Sequence, residues 1–226
     1  MTTVDATAGE SGRPAAAAEE APAAPAVVGP MAGDPSIFGL GSFIAGSVAL
    51  GLSLVGVVPF GVLGAPLAII VAATALGLLM ATIWAAAVGQ SAVAAVFGIF
   101  GTFWLSYAVL VLGLDHNWFA IGLTAVIPTV KLFLLTWLII IVMLTLATLR
   151  LPSAFTGVFT LVALALLFLY LAFAEASPLG VPSSGLLKAA GYVILVFAAL
   201  GVYLFASASA VGTGGKALPL GRPIQH

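Results

Sequence analysis

The chain has 226 residues, 63% hydrophobic and only 6% charged, with a formal net charge of −1 and no cysteine. That balance excludes a water-soluble globule and points to a polytopic membrane protein. The missing thiols exclude disulfides, thiolate metal sites and a cysteine nucleophile, and six scattered basic residues leave nucleic acid nothing to bind.

Residues 1–33 are rich in Ala and Pro, with Asp5, Glu10, Glu19, Glu20 and a lone Arg13. They have neither the basic start nor the apolar core of a secretory signal, so they read as a disordered cytoplasmic tail. Asp34 and Pro35 then give an N-cap acceptor and a preset φ, a start signal placed before an apolar run. From Pro35 to Leu114 there is no Asp, Glu, Lys, Arg or His. A charge at the centre of a membrane helix costs roughly 2.5–3.5 kcal/mol, so a run this long without one belongs in lipid. Breaks at 56–61 and 89–91 divide it into three crossings, expected at Ser36–Val57, Pro66–Val88 and Ala92–Leu112.

Small residues recur at helical spacing, as in Gly41, Ala45 and Ala49 or Gly98 and Thr102, which lets neighbouring helices approach closely. Asp115, His116, Asn117 and Trp118 form a polar loop with an interfacial Trp. Residues 119–149 exceed one straight crossing, and Pro128 is expected to separate a short interfacial piece from a fourth helix at Thr129–Leu149. Lys131 in its first turn reaches the headgroups by its long stem. A loop at Arg150, a fifth helix at Ala154–Ala174, a loop over Glu175–Ser184 and a sixth helix at Leu186–Ala208 follow. The expected organisation is a tail over 1–33, a six-helix domain over 34–209 and a polar cytoplasmic tail over 210–226. Six crossings put both termini on one side. A cytoplasmic assignment places Arg13, Arg150, Lys216 and Arg222 inside against Lys131 and Lys188 outside, as the positive-inside rule asks.

No phosphate loop, metal-ligand cluster or catalytic triad is present, and the two histidines are a loop residue, His116, and the last residue, His226. Catalysis, a metal and a cofactor are therefore not expected. Passage of a solute through the bundle, or a structural role, remains.

The segment Asp34-Pro-Ser-Ile-Phe-Gly-Leu-Gly-Ser-Phe43 resembles the Asn-Pro-Ala-Pro-Leu-Gly-Leu signature that opens helix 1 of the acetate uptake transporter family. Phe100-Gly-Thr-Phe-Trp-Leu-Ser106 resembles that family's Tyr-Gly-Ser-Phe-Trp-Leu segment. Trp137, Thr148-Leu-Arg150 and Ala217-Leu-Pro-Leu-Gly221 resemble its later Trp, Thr-Leu-Lys and Leu-Pro-Ile-Gly positions. The resemblance implies an all-α membrane protein with six transmembrane helices per protomer around a narrow pore, assembled with copies of itself, as a hexamer, in the plasma (inner) membrane. It implies a small monocarboxylate such as acetate as the solute, and a constriction at Phe43, Phe100 and Leu161. Pro35 and Gly39 would shape the pore mouth.

The residues themselves add a second set of candidates. A hydroxyl at membrane depth is costly unless bonded, and Ser42, Thr102, Ser106 and Thr136 lie at such depth. Ser42 and Thr102 neighbour the two aromatic positions, where they would contact a passing carboxylate. The bland alternative is that each bonds the carbonyl a turn earlier, and that Phe43, Phe100 and Leu161 only pack. Gln90 reads as a cap or a loop contact. Helix 2 departs from the family pattern, with Ala75-Leu-Gly-Leu-Leu-Met80 and Ala85-Ala-Ala87 where polar groups are usual. So apolar a path favours the protonated acid, or a proton carried with the solute, over a bare anion. The alternatives are a pore for neutral solutes such as ammonia or urea, and a scaffold that transports nothing.

Overall fold

The structure, a computed structural model, describes residues 32–59, 64–176 and 180–225. The expected N-terminal tail up to residue 31, and His226, lie outside the described residues. Six helices are long and apolar enough to cross a membrane. They are α1 (Pro35–Val55), α2 (Leu67–Ala87), α3 (Ser91–Asp115), α4 (Leu123–Ala147), α5 (Ser153–Ala174) and α6 (Ser184–Gly212). Among the described residues there is no strand, only an isolated antiparallel bridge between Pro152 and Pro223.

Local chemistry sets the ends. Asp34 caps α1, its carboxylate accepting the Ser36 N–H at 2.8 Å, and Pro35 occupies the first turn, where no N–H is needed. Gly56 closes α1 in the left-handed region, φ 100°, its N–H returning to Leu52 and Ser53. Pro128 does not break the fourth crossing as expected. Helix α4 starts before it, with a 3₁₀ turn at Leu123–Ala125, so the proline falls in the first α-turn, where its absent N–H costs nothing. Helix α2 is regular only at its ends, and over Ile70–Ala75 it widens into π turns. There Thr74 is fully buried against α1, at Gly46, where any Cβ would collide with its side chain.

The helices close into a ring in chain order. Helix α1 packs on α6 and α2, α2 on α3, α5 on α4 and α6. The α3–α4 seam is the thin one between backbones, and aromatic side chains fill it. Phe103 meets Trp137 at 5.3 Å between ring centroids and Phe133 at 6.1 Å, and Tyr107 lies 6.4 Å from Phe133. Bulky rings hold the two axes apart while still excluding lipid.

The described start of the chain and its C-terminal segment lie at one end of the bundle, with the α2–α3 and α4–α5 loops. That C-terminal segment folds back on the bundle as a strap. Leu218 N–H donates to Ser207 Oγ at 3.0 Å, Tyr203 Oη donates to the Pro219 carbonyl at 2.8 Å, and Ala154 N–H donates to the Leu220 carbonyl at 3.0 Å. The N–H groups of Ile224 and Gln225 both reach the Leu149 carbonyl.

Candidate site: a cavity closed by an aromatic ring

A cavity of about 560 Å³ enters the bundle at the termini end. Its mouth lies among Asp34, Leu151, Ala217 and Leu220, and it runs inward to Phe43, Phe100 and Phe159. The mouth residues come from the α1 cap, the α4–α5 loop and the strap, so the fold of the C-terminal segment shapes the entrance. Among the described lining residues only Asp34 is ionisable. The uncharged polar side chains are Ser36, Thr148 and Ser207. Two of these are already engaged. Thr148 donates to the Thr145 carbonyl at 2.7 Å, and Ser207 accepts from Leu218. The walls deeper in are aliphatic and aromatic.

Four phenylalanines from four helices meet at the inner end. Phe43 of α1 meets Phe100 of α3 edge-on at 5.0 Å between centroids. Phe159 of α5 stacks on Phe100 and Phe197 of α6 stacks on Phe43, each at 5.7 Å. All four are buried. They form a cross-linked apolar plug at mid-bundle.

Of the residues picked from sequence, the structure brings Phe43 and Phe100 together. Leu161 packs partly buried at the edge of the core, and Phe159, two residues earlier, stacks on Phe100. Pro35 is buried at the start of α1, and Gly39 is buried beneath the Phe97 ring, which occupies the place of a Cβ. Ser42 is buried but faces a different space, an open groove of about 890 Å³ on the flank of α1 and α2, lined by Phe38, Gly41, Ala45, Gly77 and Met80. Thr102 is exposed and bonds the carbonyls of Gly98 and Ile99 at 2.9 and 3.0 Å. Ser106 bonds the Phe103 carbonyl at 2.9 Å, and Thr136 bonds that of Leu132 at 2.8 Å. The structure does not bring Ser42 and Thr102 to one place.

Three buried polar atoms have no hydrogen-bond partner among the described residues: Thr74 Oγ1, Trp104 Nε1 and Ser209 Oγ. The sequence assigns none of them a role, although Trp104 falls inside the 100–106 segment, and it does not mark Phe159 or Phe197. Every helix is apolar on all faces, so nothing in the pattern marks which side meets a neighbour.

Residues 18–213 match the GPR1/FUN34/yaaH family. The chain belongs to this family. The acetate uptake transporter resemblance carried by the 34–43 and 100–106 segments therefore holds over most of its length. A solved structure titled "Structure of the bacterial acetate channel SatP" superposes with a TM-score of 0.69 at 21% sequence identity, over 83% of this chain and 98% of that one. At that identity the likeness establishes a common fold, six membrane-spanning helices. No curated protein matches the chain.

Proposed function

We propose that this member of the GPR1/FUN34/yaaH family conducts acetate or a similar small monocarboxylate across the membrane. The observation that carries the reading is the cavity that ends on the Phe43, Phe100, Phe159 and Phe197 plug. A hydrated ion loses too much solvation there, whereas a two-carbon acid presents a methyl group to the rings and has one polar end to satisfy. The solved acetate channel of the same fold supports the choice of solute.

The solute crosses as the protonated acid. Among the described lining residues no ionisable group beyond Asp34 at the mouth balances an anion, and a bare carboxylate in so apolar a space is costly. Transport is then electroneutral, with the proton riding on the solute. The termini end faces the cytoplasm, where Arg150, Lys216 and Arg222 lie, and the protein works as a homo-oligomer, a hexamer, in the inner membrane. Within the constriction we assign Phe43 and Phe100, as their sequence motifs implied, together with Phe159 and Phe197.

Purified protein in liposomes, given radiolabelled acetate outside, tests the reading. Saturable uptake with internal acidification and no current is expected. Flux no greater than in empty liposomes would overturn it.

A further inference from the structure

The wall of the cavity is breached on one side. Ala95 precedes the exposed Thr102 by seven residues on α3, and Ala147 follows the exposed Thr136 by eleven on α4, so each lies within about 20° of an outward bearing on its helix. Both alanines are themselves exposed, yet both line the cavity. The cavity therefore breaks through the ring of helices between α3 and α4, in the half of that seam next to the termini. In the other half Phe103, Phe133 and Trp137 fill the seam with rings. Here it holds alanines.

The space inside suits a ligand larger than a two-carbon acid, since about 560 Å³ with mostly apolar walls is the size that takes a molecule of many heavy atoms. The Cα atoms of α3 and α4 come within 8 Å of each other, so a helix about 10 Å across cannot pass between them, whereas a single hydrocarbon chain can. Arg150 stands at the rim of the opening, between Leu149 and the cavity-lining Leu151, exposed and with no ion-pair partner among the described residues. Lys216 and Arg222 lie at the same end of the bundle. The one acidic residue described there, Asp34, is on α1, across the ring from α4. A cationic rim beside an apolar hole that opens to lipid selects an amphiphile with an anionic head.

We propose that this opening seats an anionic phospholipid from the leaflet at the termini end, with its phosphate against Arg150 and one acyl chain threaded between Ala95 and Ala147 into the cavity. The site lies off the axis of the bundle, and it does not depend on which solute the protein carries.

Phosphatidylglycerol with a photoactivatable group at the end of one acyl chain, mixed into liposomes holding the full chain, tests the assignment. Irradiation should label Phe97 and Val158, which line the cavity and are buried inside the ring, as well as outward residues such as Leu132 and Ile139. Arg150→Gln should cut the inside labelling about fivefold, and phosphatidylcholine bearing the same chain should label wild type no better than that. Ala95→Trp, which puts its bulk at an exposed position, should abolish the inside labelling and leave Leu132 and Ile139 labelled as before. Labels confined to outward residues in wild type, a result that needs no variant to fold, would overturn the proposal. So would equal inside labelling by the two lipids. Inside labelling that appears only once the oligomer is dissociated would give the opening to a second copy and overturn it as well.

Discussion

Phe43 and Phe100 meet edge to face, centroids 5.0 Å apart and planes inclined at 70°, from α1 and α3, whose backbones otherwise scarcely touch. The contact therefore spans the middle of the ring of helices, where a path for solute would run. Phe43 is 5% exposed and Phe100 3%, so no open channel passes between them in this state.

Replacing Phe43 by Ala removes the edge on Phe100 and the stacking partner of Phe197 together. A dewetted gate loses its barrier as the gap widens, and each 1.4 kcal/mol removed is about tenfold in rate. Acetate flux in Phe43→Ala should rise on the order of tenfold, and acids two carbons longer should begin to pass. Stopped-flow measurements on liposomes matched for protein content check this. Unaltered flux and size selectivity would mean the gate lies elsewhere.

The six crossings are legible in sequence because the bilayer tolerates no charge at depth, and the stretch Pro35–Leu114 has none. The plug is only half legible. Short motifs mark Phe43 and Phe100, but on α5 they point to Leu161, while the ring on Phe100 belongs to Phe159, about 200° away around the helix. On a helix apolar all round, a two-residue slip changes no pattern. The strap escapes for another reason. Most of its contacts use backbone groups, as in Ile224 and Gln225 N–H to the Leu149 carbonyl, and a Pro/Gly-rich segment advertises no such bonds. The π turns of α2 also leave no compositional mark, since Ile70–Ala75 reads as ordinary apolar helix.

The strap frames the cavity mouth, and Tyr203 ties it to α6 by its bond to the Pro219 carbonyl. In Tyr203→Phe that bond is gone, at a net cost of about 1 kcal/mol, or roughly fivefold in the opening equilibrium. Hydrogen exchange at the Leu218 N–H, which donates to Ser207, should speed up by about that factor, with transmembrane amides unaffected. Equal exchange in both proteins would show that the remaining strap contacts suffice.

Transport of the neutral acid has a definite pH signature. A carboxylic acid of pKa roughly 4 is mostly ionised at neutral pH, and above that value its neutral fraction falls tenfold per pH unit. At fixed total acetate, uptake should fall about tenfold between pH 6 and pH 7, with no matching change in protein stability. Uptake that follows total acetate across this range would mean the anion itself is carried.

Gly39 bears on the cavity through Phe97. Its bare backbone accommodates the Phe97 ring, which lines the cavity wall, and a Cβ at residue 39 would collide with that ring. Gly39→Ala must push Phe97 aside, and the space open to it is the cavity. Overpacking of this kind costs about 1–3 kcal/mol. The variant should melt lower in detergent and carry acetate more slowly at saturating substrate. Adding Phe97→Leu, which shortens the displaced side chain, should restore both.

Thr74 presents the opposite case, a buried group that gains nothing from being polar where it sits. Its side chain is fully buried against Gly46, and its Oγ1 finds no partner among the described residues. In an ordinary helix a threonine hydroxyl bonds the carbonyl three or four residues back, as Thr82 does to Leu78 at 2.8 Å. The π turns over Ile70–Ala75 shift that carbonyl out of line. A buried polar group left unpaired costs about 1–3 kcal/mol, whereas an apolar group of the same shape avoids the cost. Thr74→Val should therefore raise the detergent melting temperature by a few degrees and leave acetate uptake unchanged, while Thr82→Val gives no such gain. A fall in the melting temperature of Thr74→Val would show that the hydroxyl is paired in the membrane, by water held at the widened turn.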